Sequence, residues 1–72
     1  MDKRIKMKPY TEILKCGGER ALLQTVLGTF EMGFIKDGMV KLDGSTNWRR
    51  PEEFENFILI SDLKNYLVEE NN

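Results

Sequence analysis

The residues best suited to chemistry stand together at Asn47-Trp48-Arg49-Arg50-Pro51. Trp and Arg are the side chains most enriched where partners bind, because one large face or one planar fork makes many contacts at once. The guanidinium fork also matches carboxylate and phosphate. The chemistry on offer is recognition, not bond-making. The competing reading is structural: Trp48 packs into the core, and Arg49 and Arg50 pair with Glu52, Glu53 or Glu55.

A second constellation is basic. Lys3, Arg4, Lys6 and Lys8 form an arm, and Lys36, Lys41, Arg49 and Arg50 extend it, with Phe34 and Met39 interleaved. Cations around an aromatic are the recipe for single-stranded nucleic acid, which stacks its bases while its phosphates find charge. The bland counterpart is a solvated strand face.

Catalytic and metal chemistry lack their usual carriers. The chain has no histidine and one cysteine, Cys16. The commonest general base and metal ligand is therefore absent, and a zinc site cannot be built from one thiolate. Ser45 and Ser61 have no imidazole to activate them. No glycine cluster matches a phosphate-binding loop. Lys15 beside Cys16 is a cation that can depress a thiol pKa, but a small half-buried residue at a strand end is the simpler reading. Glu52, Glu53 and Glu55 offer paired carboxylates without the cleft that a hydrolase needs, and read as a solvated acidic loop. The chain is thus expected to be non-catalytic, with no cofactor and no metal.

Composition narrows the class further. Seventy-two residues make one domain, 1–72, with residues 1–6 as a basic arm and 69–72 as a frayed tail. Such a chain buries about 60% of its unfolded surface, so its stability is marginal. No apolar run approaches the roughly 20 residues of a membrane helix. The charged N-terminus has no apolar stretch of the secretory type. A lone cysteine forms no internal disulfide, which fits a reducing cytoplasm. Residues 1–50 carry ten Lys/Arg against six Asp/Glu, a balance of +4. Beyond them, Lys64 stands against Glu52, Glu53, Glu55, Asp62, Glu69 and Glu70, a balance of −5. A dedicated duplex-DNA binder is usually strongly basic throughout, and this chain is not.

The elements that position these residues read as short strands. Asp37-Gly38 between alternating segments marks a type I′ hairpin, with Ile35 facing Val40 and Gly33 facing Leu42 on the core side. Phe34, Lys36, Met39 and Lys41 fall on the other face. Residues 5–15 alternate and predict a strand with Pro9 at an edge, turning at Gly17-Gly18 so that Leu14 faces Ala21 and Ile13 faces Leu22. Residues 19–31 fit a helical face at Leu22, Leu23, Val26, Leu27 and Phe30. Thr25, Val26, Gly28 and Thr29 favour strand, and strand is the reading taken. Phe57-Ile58-Leu59-Ile60 predicts a buried strand. Ser61 then caps a short helical turn whose Leu63, Tyr66 and Leu67 pack back.

This order is short strands, a Lys-Asp-Gly hairpin, Val-Lys-Leu-Asp-Gly, a long loop, and an apolar strand running into Ser61-Asp62-Leu63. Across residues 9–68 it resembles a small SH3-like barrel of the KOW or Sm type. The resemblance implies a binding module for peptides, protein surfaces or nucleic acid; fold alone does not fix which.

The fold expected is therefore all-β: an antiparallel five-stranded SH3-like barrel or curled meander with a short C-terminal helical turn. The alternative is α+β, with a helix over about residues 19–28. The function expected is binding of a protein partner through Trp48, Arg49, Arg50, Phe34, Lys36 and Lys41, as a monomer or weak homodimer. Nucleic-acid binding is the alternative.

Overall fold

A computed structural model describes residues 6–70, with side chains through Asn65. Five strands make one antiparallel sheet: β1 (Lys8–Pro9), β2 (Glu19–Thr25), β3 (Phe30–Lys36), β4 (Met39–Leu42) and β5 (Phe54–Leu59). Their spatial order is β1-β5-β2-β3-β4. A helix, α1 (Ile60–Glu70), follows β5 directly. The fold is all-β with a C-terminal helix, and the sheet is open, not closed into a barrel. Residues 19–28 are not helical.

The β3–β4 hairpin follows the residue alternation. Ile35 pairs with Val40 and Gly33 with Leu42. Asp37 at φ 53 and Gly38 at φ 75 supply the two positive angles of a type I′ turn, whose twist matches that of the strands it joins.

Residues 19–31 are strand, interrupted by a hairpin that alternation did not reveal. The Thr25 N–H donates to the Thr29 carbonyl at 2.8 Å, and the Gly28 N–H donates to the Thr25 carbonyl at 2.9 Å. The loop between these threonines lifts Val26 and Leu27 into solvent.

The expected strand over residues 5–15 is corrected. Only Lys8 and Pro9 pair, with Phe57 and Asn56 of β5. Pro9 cannot donate to a ladder, and Tyr10–Lys15 turns into a 3-10 segment. The Glu12 carboxylate and Lys15 ammonium meet across that turn at 3.2 Å. Ile13 is thereby driven into the core at 0% exposure, while Leu14 is left 71% exposed. Neither residue pairs with β2. Gly17 and Gly18 connect the 3-10 segment to β2 instead of closing a hairpin. Ile5 lies outside the described residues.

The core lies on one face of the sheet. Ala21, Leu23, Ile35, Val40, Leu42, Phe57 and Leu59 point into it by strand alternation, and Phe54 and Ile13 close it. A register shift at Gln24/Thr25 sets Phe54 opposite Thr25 and turns its ring inward. Such a bulge also bends the strand. On the opposite face, Ile58, Leu22, Phe30, Met7 and Leu63 of α1 line an open groove of about 300 Å³. Lys8 Nζ lies 3.8 Å from Asp62 Oδ2, tying the start of α1 to β1.

The cap expected at Ser61 is also corrected. The helix begins at Ile60, so Ser61 sits inside its first turn. Leu63 packs back as expected. The Tyr66 and Leu67 side chains lie outside the described residues, as do Lys3, Arg4 and Asn71–Asn72; Glu69 and Glu70 belong to α1.

Candidate interaction face

The site is built on β3, β4 and the segment after β4. Lys36 pairs with Met39 and Phe34 with Lys41. All four side chains project away from the core, because Ile35, Val40 and Leu42 take the alternate positions. Arg20 of β2 stands opposite Phe34 and extends the row.

Trp48 joins this row through a backbone contact. Val40 and Arg49 form an isolated antiparallel bridge. Residues directly opposite share a face, so Arg49 follows Val40 to the core side and Trp48 falls beside Lys41. Lys41 Nζ sits 6.0 Å from the centroid of the Trp48 ring, at the outer limit of cation–π attraction. Trp48 is 45% exposed. Its ring, Met39, Lys36 and Asp37 line an open cavity of about 300 Å³.

The six residues singled out by type do not converge on one point. Trp48, Lys36, Lys41 and Phe34 share a face, with Phe34 half-buried above Gly18. Arg49 lies on the other side, where it lines a second depression with Leu27, Thr25, Glu53 and Phe54. Its Nη1 is 3.7 Å from Glu53 Oε1, the structural pairing weighed from sequence. Arg50 is exposed, and its backbone N–H donates to Glu53 Oε2 at 3.1 Å. That bond anchors the Pro51–Glu53 3-10 turn.

Electrostatics separate the cations further. Arg20 Nη2 lies 2.6 Å from Asp43 Oδ2. Among the described residues, neither Lys36 nor Lys41 has a carboxylate within ion-pair distance. Cys16 is not an activated thiol. Burial pushes it above its ordinary value of 9.0, and Glu19 adds to the rise. Its Sγ lies 3.5 Å from the Glu12 carbonyl, to which it donates.

Sequence reasoning missed two features here. Asp37 was seen only as a turn residue, yet its position in the hairpin carries it to the cavity rim. The apolar loop tip, with Leu27 at 88% exposure, was hidden because the hairpin containing it was not recognised. Val26 and Leu27, followed by Gly28 between Thr25 and Thr29, were the available signal.

No described helix is long and apolar enough to cross a membrane. No protein-family model, no curated protein and no solved structure matches the chain.

Proposed function

We propose that this chain is a non-catalytic interaction module that binds a protein partner through Trp48, Met39, Phe34, Lys36 and Lys41. The carrying observation is the half-exposed Trp48 ring beside an open cavity. A large aromatic left in water is a source of binding free energy, since covering it removes apolar surface from solvent. The order of elements supports the SH3-like resemblance: a β2–β3–β4 meander, a 3-10 turn, then a strand returning beside β2. The module is read as a monomer or weak homodimer: the Val40–Arg49 bridge covers part of the β4 edge that would otherwise template a second strand. A cytoplasmic setting fits its lone thiol.

Single-stranded nucleic acid would use the same ring and lysines. Protein is favoured because Arg20 and Arg49 are already held by Asp43 and Glu53, and Asp37 stands at the cavity rim. A phosphate-tracking groove would present those cations unpaired.

Differential capture from the native host tests the reading. Trp48→Ala should lose partners that the parent chain and Arg49→Ala both retain, with capture surviving nuclease treatment. Equal capture by Trp48→Ala removes this face as the site. Loss on nuclease treatment puts nucleic acid first.

A further inference from the structure

We infer that the segment recognised at this face is acidic: an apolar side chain enters the cavity between Trp48 and Met39, and flanking carboxylates reach Lys36 and Lys41. The inference rests on the protein-binding reading and specifies its partner.

Cavity size limits the occupant. About 300 Å³ is at the small end of ligand sites, so it suits one side chain better than a cofactor. The walls are the Met39 thioether, the Trp48 indole and the Lys36 stem, with Asp37 at the rim. A flexible Met and a flat Trp accept branched or aromatic groups alike.

Charge decides the flanks. The face carries two lysines without an acidic partner among the described residues, while its arginine, Arg20, is already paired. Lys41 Nζ lies 6.0 Å from the Trp48 ring centroid, so a carboxylate reaching it also comes close to the indole. Asp37 breaks the symmetry. It repels a carboxylate at the turn end of the cavity and accepts a backbone N–H from the incoming segment there. The acidic flank is therefore set toward Lys41, with Lys36 neutralising a carboxylate that passes outside Asp37. A basic segment would place its cations against both lysines, and like charges at this range repel.

A displayed library of random linear peptides, selected on the full chain, tests this. Selected sequences should be net acidic with one apolar residue among the carboxylates. Anisotropy of a labelled selected peptide then reads affinity in each variant. Lys41→Glu should weaken binding about five-fold at low salt, as for one exposed ion pair, and the gap should close at high salt as screening sets in. Trp48→Ala should weaken binding at every salt concentration. Trp48 is the only tryptophan, so peptide binding should also change the parent's indole emission. Unchanged thermal midpoints in both variants establish that they fold.

Neutral or basic selected peptides that still need Trp48 overturn the acidic partner and keep the face. Acidic peptides that bind Trp48→Ala as well as the parent overturn both. A library that yields no binder overturns recognition of a linear segment, while the capture experiment still judges the face.

Discussion

Val40 and Arg49 exchange both of their backbone hydrogen bonds, N–H to carbonyl at 2.9 Å one way and 2.6 Å the other. This single pair seals part of the β4 edge. It also sends Trp48 to the open face and Arg49 to the opposite one. The Asn47–Pro51 run thus divides its two most chemical residue types between two surfaces.

Arg49→Pro should therefore destabilise the chain, because it removes the N–H that donates to Val40 and leaves that carbonyl without its partner. The expected cost is about 1–3 kcal/mol, read from urea unfolding, with a shift in Trp48 emission. Arg49→Ala keeps the backbone bond and loses only an exposed ion pair, so it should stay within about 0.5 kcal/mol. Equal effects of the two changes would show that the bridge contributes nothing.

Gly33 is fixed by crowding. A Cβ there would lie 2.8 Å from the Lys41 carbonyl oxygen and 3.2 Å from Leu42 Cα, both backbone atoms of the paired strand. Gly33→Ala should cost about 1–3 kcal/mol as an overpacked site. Gly17 meets nothing within 4 Å, and Gly17→Ala should be neutral or slightly stabilising. Thermal midpoints compare the two. A tolerated Gly33→Ala would mean that β3 and β4 separate more easily than their close approach implies.

Ile13 and Leu14 are neighbours with opposite fates. Ile13→Ala should cost about 2–5 kcal/mol, since a buried side chain leaves a cavity. In a marginally stable chain of this size that loss can unfold it. Leu14→Ala should be close to neutral. Circular dichroism during urea titration reads both, and similar costs at the two positions would contradict the 3-10 segment.

Cys16 links stability to alkaline pH. Its folded-state pKa is raised, first by burial and then by Glu19, so the unfolded chain loses the thiol proton at lower pH than the folded one. The stabilisation is complete below the unfolded-state pKa and is lost as pH rises through the folded one. Urea midpoints of the parent chain should fall relative to Cys16→Ala once pH passes about 9, the ordinary thiol value. Parallel pH profiles of the two proteins would remove Cys16 from the alkaline transition. The native thiol should also alkylate more slowly at neutral pH than that of the urea-unfolded chain.

What the sequence determined by itself is local. Asp37-Gly38 set the turn and, through a period of two, the register of Ile35 with Val40 and the outward set Phe34, Lys36, Met39 and Lys41. A type I′ turn depends on two residues, and alternation propagates from it without help from elsewhere. The apolar run Phe57-Ile58-Leu59-Ile60 likewise announced a buried strand, although Ile60 already begins α1. Tertiary structure decided the rest. Residues 5–15 alternate as well as any strand, yet the sheet has room for only Lys8 and Pro9 beside β5. The chain beyond them turns so that Ile13 can cover the core. Trp48 and Arg49 are adjacent and were read as one site, but a strand residue and its neighbour point in opposite directions as soon as either pairs. The pairing partner, Val40, lies nine residues away, where no local pattern could announce it. Turns and alternation are encoded by neighbours in the chain, whereas the face a side chain reaches is fixed by whichever distant strand accepts its backbone hydrogen bonds.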